Sequence, residues 1–217
     1  MGINEKNFHM EMMFGDKRYW TLGSMLELRS ETDKDKPFLQ FKKETPKTFS
    51  QVNETTNKIA HGLTKLGVAK QDTVLIFLPN CPEFIYTWFA VIKLGAIEVP
   101  INTAYKGYFI THLANNSKAK IMIADHQFLD RIKDCEDKLE YLEKIIVIND
   151  KNNNNKQPIV FNKIEISDYE KLYDNPSYNP EVQVNYYDNS AIIYTSGTTG
   201  SSKGPLITNA WMHTHAE

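Results

Sequence analysis

TVLIFLPNCPEFIYTWFAVIKLGAIEVPIN, residues 73–102, carries the decisive pattern of this chain. TVLIFLP (73–79) is a short, unbroken apolar run closed by Pro79 and Asn80, as expected of a strand buried on both faces. CPEFIYTWFAVIKLGA (81–96) then reads as a helix, with Pro82 suited to its first turn and Gly95 near its end. IEVPIN (97–102) returns to β-branched residues. The apolar stretch 84–101 is read as helix plus buried strand and not as a membrane span, because Lys93, Gly95, Glu98 and Pro100 interrupt it.

The same alternation extends outward. Downstream, GYFITHLANNSKA (107–119) reads as a helix and KIMIAD (120–125) as a strand; QFLDRIKDCEDKLEYL (127–142) reads as an amphipathic helix and KIIVIND (144–150) as a strand. Upstream, TFSQVNETTNKIAHGLTKLG (48–67) reads as an edge strand or turn leading into an amphipathic helix. Ile59, Leu63 and Leu66 share its apolar face, and Gly67 ends it. Strands and helices at this spacing imply right-handed βαβ crossovers over 48–150 and an α/β fold, a mostly parallel sheet flanked by helices. Ligands of such sheets gather at the carboxyl ends of the strands, which singles out LPNCPE, PINTAYKG and YTSGTTGSSKG. DKNNNNKQ (150–157) reads as a solvated loop, and residues 151–190 as an irregular connection rich in Tyr, Asn and Pro.

Composition narrows the class. The 217 residues are 41% hydrophobic, 12% aromatic and 24% charged, which is globular usage. A net charge of −2 argues against a nucleic-acid partner, yet leaves room for local phosphate binding by main-chain N–H groups and a lysine. Cys81 and Cys135 lack disulfide-framework or zinc spacing. The first residues contain no apolar signal segment, and Lys6 stands where a myristoylation signal wants Ser or Thr. The expectation is a soluble cytoplasmic protein without a membrane span, its oligomeric state left open.

AIIYT (191–195) reads as a further buried strand, and the polar segment YTSGTTGSSKG (194–204) opens at its carboxyl end, followed by the apolar PLIT (205–208). Small residues let main chain approach a ligand, successive N–H groups form an anion nest, hydroxyls add donors, and Lys203 adds charge. The spacing excludes a Walker A loop: Gly197 and Gly200 are three apart, and Lys203 is followed by Gly204. The bracketing apolar runs argue against a loose tail. The residues favour a phosphate loop over a purely structural turn.

YTSGTTGSSKG resembles the signature phosphate loop of the adenylate-forming, AMP-binding enzymes: acyl-CoA synthetases, luciferases and the adenylation domains of peptide synthetases. TFSQVNETTNKIAHGL and IKLGAIEVPIN resemble two further family motifs in the same order. The resemblance runs from about Trp20 to the end, and 78–107 is similar in wording to crotonobetaine/carnitine–CoA ligase-like members.

The resemblance implies ATP-dependent activation of a small carboxylic acid to an acyl-adenylate, with Mg2+, followed by transfer to coenzyme A. It implies that Thr195, Ser196, Gly197, Thr198, Thr199, Gly200 and Lys203 cradle the nucleotide phosphates, with turn capping the competing role for Ser196 and Thr198. Family members are usually more than twice this length. The expectation is therefore an N-terminal portion of an AMP-binding domain, with 191–208 as strand, phosphate loop and strand. The C-terminal domain and its catalytic lysine lie beyond the chain, so no catalytic residue is assigned and the isolated chain is expected to be inactive. The alternative is an inactive nucleotide-binding or partner-binding remnant. Pro205 departs from the β-branched or aliphatic residue usual in the family, and Asn209 from a common histidine. Tyr105 and Lys106 read as loop residues near a ligand cleft, Trp88 and Phe89 as core, and Cys81 as no marked nucleophile. His213 and His215, two apart, read as no metal pair.

Overall fold

The computed structural model describes residues 15–149, 159–195 and 202–215. The polar run 150–157 falls outside them. Helix α1 (Leu22–Thr32) leads to a two-stranded antiparallel pair, β1 (Pro37–Leu39) and β2 (Lys47–Thr48), and then to α2 (Phe49–Lys65). T-F-S-Q fixes the start of α2: the Thr48 hydroxyl accepts from the Gln51 N–H while the Gln51 side chain accepts from the Thr48 N–H. Gly67, at φ 91°, turns the chain out of the helix as expected.

The alternating region follows as β3 (Thr73–Phe77), α3 (Pro82–Lys93), β4 (Ile97–Pro100), α4 (Tyr108–Ser117), β5 (Ile121–Asp125), α5 (Leu129–Lys133), β6 (Lys144–Ile148) and β7 (Glu165–Asp168). Then come β8 (Asn189–Ile192), β9 (Leu206–Thr208) and α6 (Asn209–Thr214). The main sheet runs β7-β6-β5-β3-β4-β8-β9, parallel throughout except for β9, which is antiparallel to β8. This is the mostly parallel α/β sheet that the apolar runs imply.

Period-two alternation divides its two faces. Val74, Ile76, Ile121, Ile123 and Ile146 pack with α1, α2 and α3, where Leu26, Val52, Ile59, Leu63 and Val91 are buried. Leu75, Phe77, Met122, Ala124, Ile145 and Val147 pack on the opposite face with Ile110, Leu113 and Ile132. A strand apolar at every position serves both cores at once.

Three expectations change in detail. The segment 127–142 is not one helix: 3-10 turns at His126–Phe128 and Glu136–Lys138 flank the five-residue α5. Glu136 is the reason, because its buried carboxylate accepts from Lys133 Nζ at 2.6 Å and from the main-chain N–H groups of Asn162 and Lys163 at 2.7 and 2.8 Å. It ties the turn to a neighbouring loop, and Ile132, Cys135, Leu139 and Leu142 still reach the core. The connection before β8 is also less irregular than its composition suggests. Tyr169–Tyr173 forms a 3-10 helix, and the buried Tyr169 hydroxyl meets Thr87 Oγ1 at 2.9 Å and donates to the Glu83 carbonyl at 3.3 Å. Finally, AIIYT is not wholly a buried strand. β8 spans Asn189–Ile192, only Ser190 and Ala191 of it are buried, and Ile193 and Thr195 are exposed. One register pair, Glu98 with Ala191, joins β8 to β4, so less of it is enclosed than of β3 or β5.

Glu98 places a carboxyl inside this sheet. It is 4% exposed, opposite Val74 on one side and Ala191 on the other, and its Oε2 has no hydrogen-bond partner among the described residues. Burial pushes its pKa up to about 8 from an ordinary 4.5. The stability tied to the protonated form is thus fully present below pH 4.5 and lost as pH rises through about 8. Glu98→Gln is expected to remove the cost of protonating the carboxylate on folding at neutral pH while leaving an unpaired amide, a net gain of about 1–2 kcal/mol near pH 7. Urea melts from pH 5 to 9 should show the wild-type midpoint falling and the variant's staying flat; parallel curves would contradict this.

Candidate functional site

The two segments bracketing the glycine-rich motif stand side by side at the carboxyl end of β8. The Thr195 N–H donates to the Lys203 carbonyl at 3.1 Å, an antiparallel bridge that closes the loop at its neck. The Ser202 hydroxyl donates across the same neck to the Thr195 carbonyl at 2.6 Å. A Cβ on Gly204 would lie 2.5 Å from Ile192 Cγ2 and 2.8 Å from Tyr194 Cζ, so this position needs glycine for close approach of the returning limb. Pro205 precedes β9 instead of entering it, which is why a residue without an N–H is accommodated. Asn209 is buried and donates to the Asn185 carbonyl at 3.2 Å, pinning the start of α6.

Thr195 and Lys203 are therefore brought together, both with exposed side chains, and Lys203 makes no ion pair among the described residues. Ser196, Gly197, Thr198, Thr199 and Gly200 lie outside the described residues. The geometry supplies a cation on one limb and a hydroxyl on the other, across a closed neck at the carboxyl end of β8, the end of the sheet at which α/β folds bind ligands.

Two residues that sequence reading missed meet this neck from α4. His112 Nε2 lies 3.0 Å from the Ser202 carbonyl, and the Tyr194 hydroxyl donates to Asn116 Oδ1. The His112 and Tyr194 rings stand edge to face at 6.1 Å. Burial raises the Tyr194 pKa, which keeps the phenol a donor. Nothing in the one-dimensional pattern marks His112 and Asn116 beyond their four-residue spacing on one helix face.

The other strand ends contribute less. After β4, Tyr105 stacks on Phe109 at 5.0 Å, and Arg131 Nη1 donates to the Thr103 carbonyl at 2.6 Å. After β3, burial pushes the Cys81 thiol up to about 12, leaving no thiolate to act as nucleophile near neutral pH. His213 is buried against Trp20 with ring centroids 4.9 Å apart, whereas the exposed His215 stacks on Trp211 at 4.0 Å. Phe89 is core and Trp88 half-buried beside it.

A family profile described as AMP-binding enzyme matches residues 26–217, covering both limbs of the glycine-rich loop and the strands beneath it. The chain belongs to the AMP-binding enzyme family. Among relatives of this AMP-binding chain, a 4-coumarate–CoA ligase of Solanum tuberosum is 33% identical over 162 residues, covering 75% of the chain and 28% of that protein. A crotonobetaine/carnitine–CoA ligase of Salmonella enteritidis PT4 (strain P125109) is 30% identical over 163 residues, covering 75% of the chain and 30% of that protein. The solved structure of the anthranilate CoA ligase AuaEII in complex with anthranoyl-AMP superposes with a TM-score of 0.77 at 27% identity, covering 89% of the chain and 35% of AuaEII. The AMP-binding chain thus spans less than a third of the length of the curated relatives described here. Among its described residues, no helix is long and apolar enough to cross a membrane.

Proposed function

We propose that this chain supplies the phosphate-gripping part of an AMP-forming acid–CoA ligase. A carboxylate is a poor electrophile; attack on the α-phosphorus of ATP gives an acyl-adenylate and pyrophosphate, and the thiol of coenzyme A then displaces AMP to leave a thioester. Charge builds on the departing pyrophosphate in the first step, and a fixed set of N–H groups, hydroxyls and a lysine stabilises it there. We assign that role to Thr195, Ser196, Gly197, Thr198, Thr199, Gly200 and Lys203. The observation that carries the reading is the closed neck between Thr195 and Lys203 at the carboxyl end of the sheet, in a chain of the AMP-binding family.

Mg2+ would arrive with the nucleotide, whose phosphate oxygens supply ligands to it. The acid would be a small carboxylic acid, with 4-coumarate, crotonobetaine and anthranilate as first candidates from the relatives. We place the reaction in the cytoplasm, where ATP and coenzyme A are available.

The test uses these acids labelled with oxygen-18 in the carboxylate. Protein extended downstream of Glu217 is expected to transfer the label to AMP in the presence of ATP, Mg2+ and coenzyme A, and the 217-residue chain alone to give no turnover. Unlabelled AMP from an acid that is being consumed would exclude adenylation. ATP binding without labelled AMP from any acid would favour a nucleotide-binding remnant.

A further inference from the structure

We infer that His112 and Asn116 are positioning residues for the phosphate loop, with α4 clamping both limbs of its neck and so setting where Lys203 stands relative to Thr195. The inference rests on the acid-activation reading for its catalytic consequence, but on the geometry alone for the clamp.

His112 and Asn116 are four apart on a ten-residue helix, so their side chains stand one above the other on a single face. That face meets two different parts of the hairpin. Asn116 Oδ1 accepts the Tyr194 hydroxyl on the outgoing limb, one residue before Thr195. His112 Nε2 contacts the Ser202 carbonyl on the returning limb at 3.0 Å, one residue before Lys203. A carbonyl only accepts, so His112 must carry its proton on Nε2, in the neutral or the charged ring. The limbs are then joined to each other by Thr195 N–H to Lys203 and Ser202 Oγ to Thr195. Two side chains from a separate helix and two cross-neck hydrogen bonds make a closed set in which neither limb can slide without breaking a contact on the other.

The helix is itself fixed. Ile110, Leu113 and Ala114 are buried in the sheet's second core, while Asn115 donates to the Lys138 carbonyl at 2.8 Å and accepts from the Glu140 N–H at 3.0 Å. The clamp therefore refers the loop to the rigid sheet and not to another loop. Neither residue is placed against the nucleotide. Their effect passes through the neck, by holding a lysine and a hydroxyl at the spacing that a polyphosphate must meet.

The test is amide hydrogen exchange at Thr195, whose N–H makes the neck bond, in wild type, His112→Ala and His112→Gln. Loss of the clamp is expected to speed Thr195 exchange about tenfold while Met122 in β5, inside the sheet, is unaffected. Gln, which keeps an N–H donor at comparable reach, is expected to restore most of the protection. Unchanged Thr195 exchange in His112→Ala, or exchange equally fast in His112→Gln and His112→Ala, overturns the clamp. In extended protein that forms acyl-adenylate, His112→Ala is expected to raise KM for ATP several-fold, with recovery in His112→Gln. Absence of adenylate formation in wild type would remove the acid-activation reading alone, because the exchange result decides the clamp without it.

Discussion

Replacing Lys203 with Met is expected to slow acyl-adenylate formation by the extended protein about 10²–10³-fold, with almost no change in melting temperature. Loss of one preorganised donor to developing charge costs about 3–4 kcal/mol of transition-state stabilisation. The separation of rate from stability follows from what each part of Lys203 does. Its main-chain carbonyl holds the neck by accepting from Thr195, and any residue can supply that group. Its side chain is exposed and unpaired among the described residues, so only the charge offered to a ligand is removed. Acid-dependent exchange between pyrophosphate and ATP measures the chemical step, and a thermal melt measures the fold. An unchanged exchange rate would take Lys203 out of the cradle, and a large drop in melting temperature would make it structural.

The second large effect concerns Lys93, which is 4% exposed. Its three ammonium N–H groups are shared among four acceptors within reach, Glu27 Oε1 at 2.8 Å, Asn53 Oδ1 at 2.7 Å, Asn57 Oδ1 at 2.8 Å and Asn179 Oδ1 at 3.1 Å. Asn179 Oδ1 also accepts from Asn53 and Asn57, and Asn57 Nδ2 reaches the Ser177 carbonyl at 2.8 Å. One cation thus joins α1, α2, α3 and the connection before β8. Burial lowers the Lys93 pKa, with Glu27 opposing. Lys93→Ala leaves the amide oxygens without their shared donor, and is expected to cost about 3–5 kcal/mol, as for other broken buried ion pairs. Glu27→Gln, at a half-buried site that keeps an acceptor, is expected to cost about 1 kcal/mol or less. Chemical denaturation of both variants checks the contrast; equal losses would mean that the ion pair with Glu27, and not the amide cluster, holds the ammonium.

How far the sequence reveals this molecule depends on the range over which each cause acts. β3, β5 and β6 are legible because a strand covered on both faces is apolar at every position. The start of α2 is legible because its cap is local to four residues. Membership of the AMP-binding family is legible because the glycine-rich motif is long and specific. The break within 127–142 is not legible, since Glu136 finds its partners at Asn162 and Lys163. The Lys93 cluster draws on positions 27, 53, 57 and 179, with no periodicity to connect them. His112 and Asn116 read simply as polar positions of an amphipathic helix, because their partners, Ser202 and Tyr194, lie far along the chain.

The antiparallel pairing of β9 with β8 also has a kinetic consequence. Every parallel neighbour in the main sheet is reached by a crossover, and β8 joins β4 only after the chain has run from Glu98 to Ala191. The β8–β9 hairpin, in contrast, closes over a shorter span, pairing Ile192 with Leu206 and Asn189 with Thr208. Short loops close in about 10–100 ns, whereas long-range strand pairing must first overcome a larger loss of chain entropy. The hairpin can therefore sample its neck as a local unit and then dock as one piece, through the single seam with β4 and the contacts from α4. Closure of the neck and pairing of the central strands therefore draw on separate losses of chain entropy, the one spanning Ile192 to Leu206 and the other a full crossover.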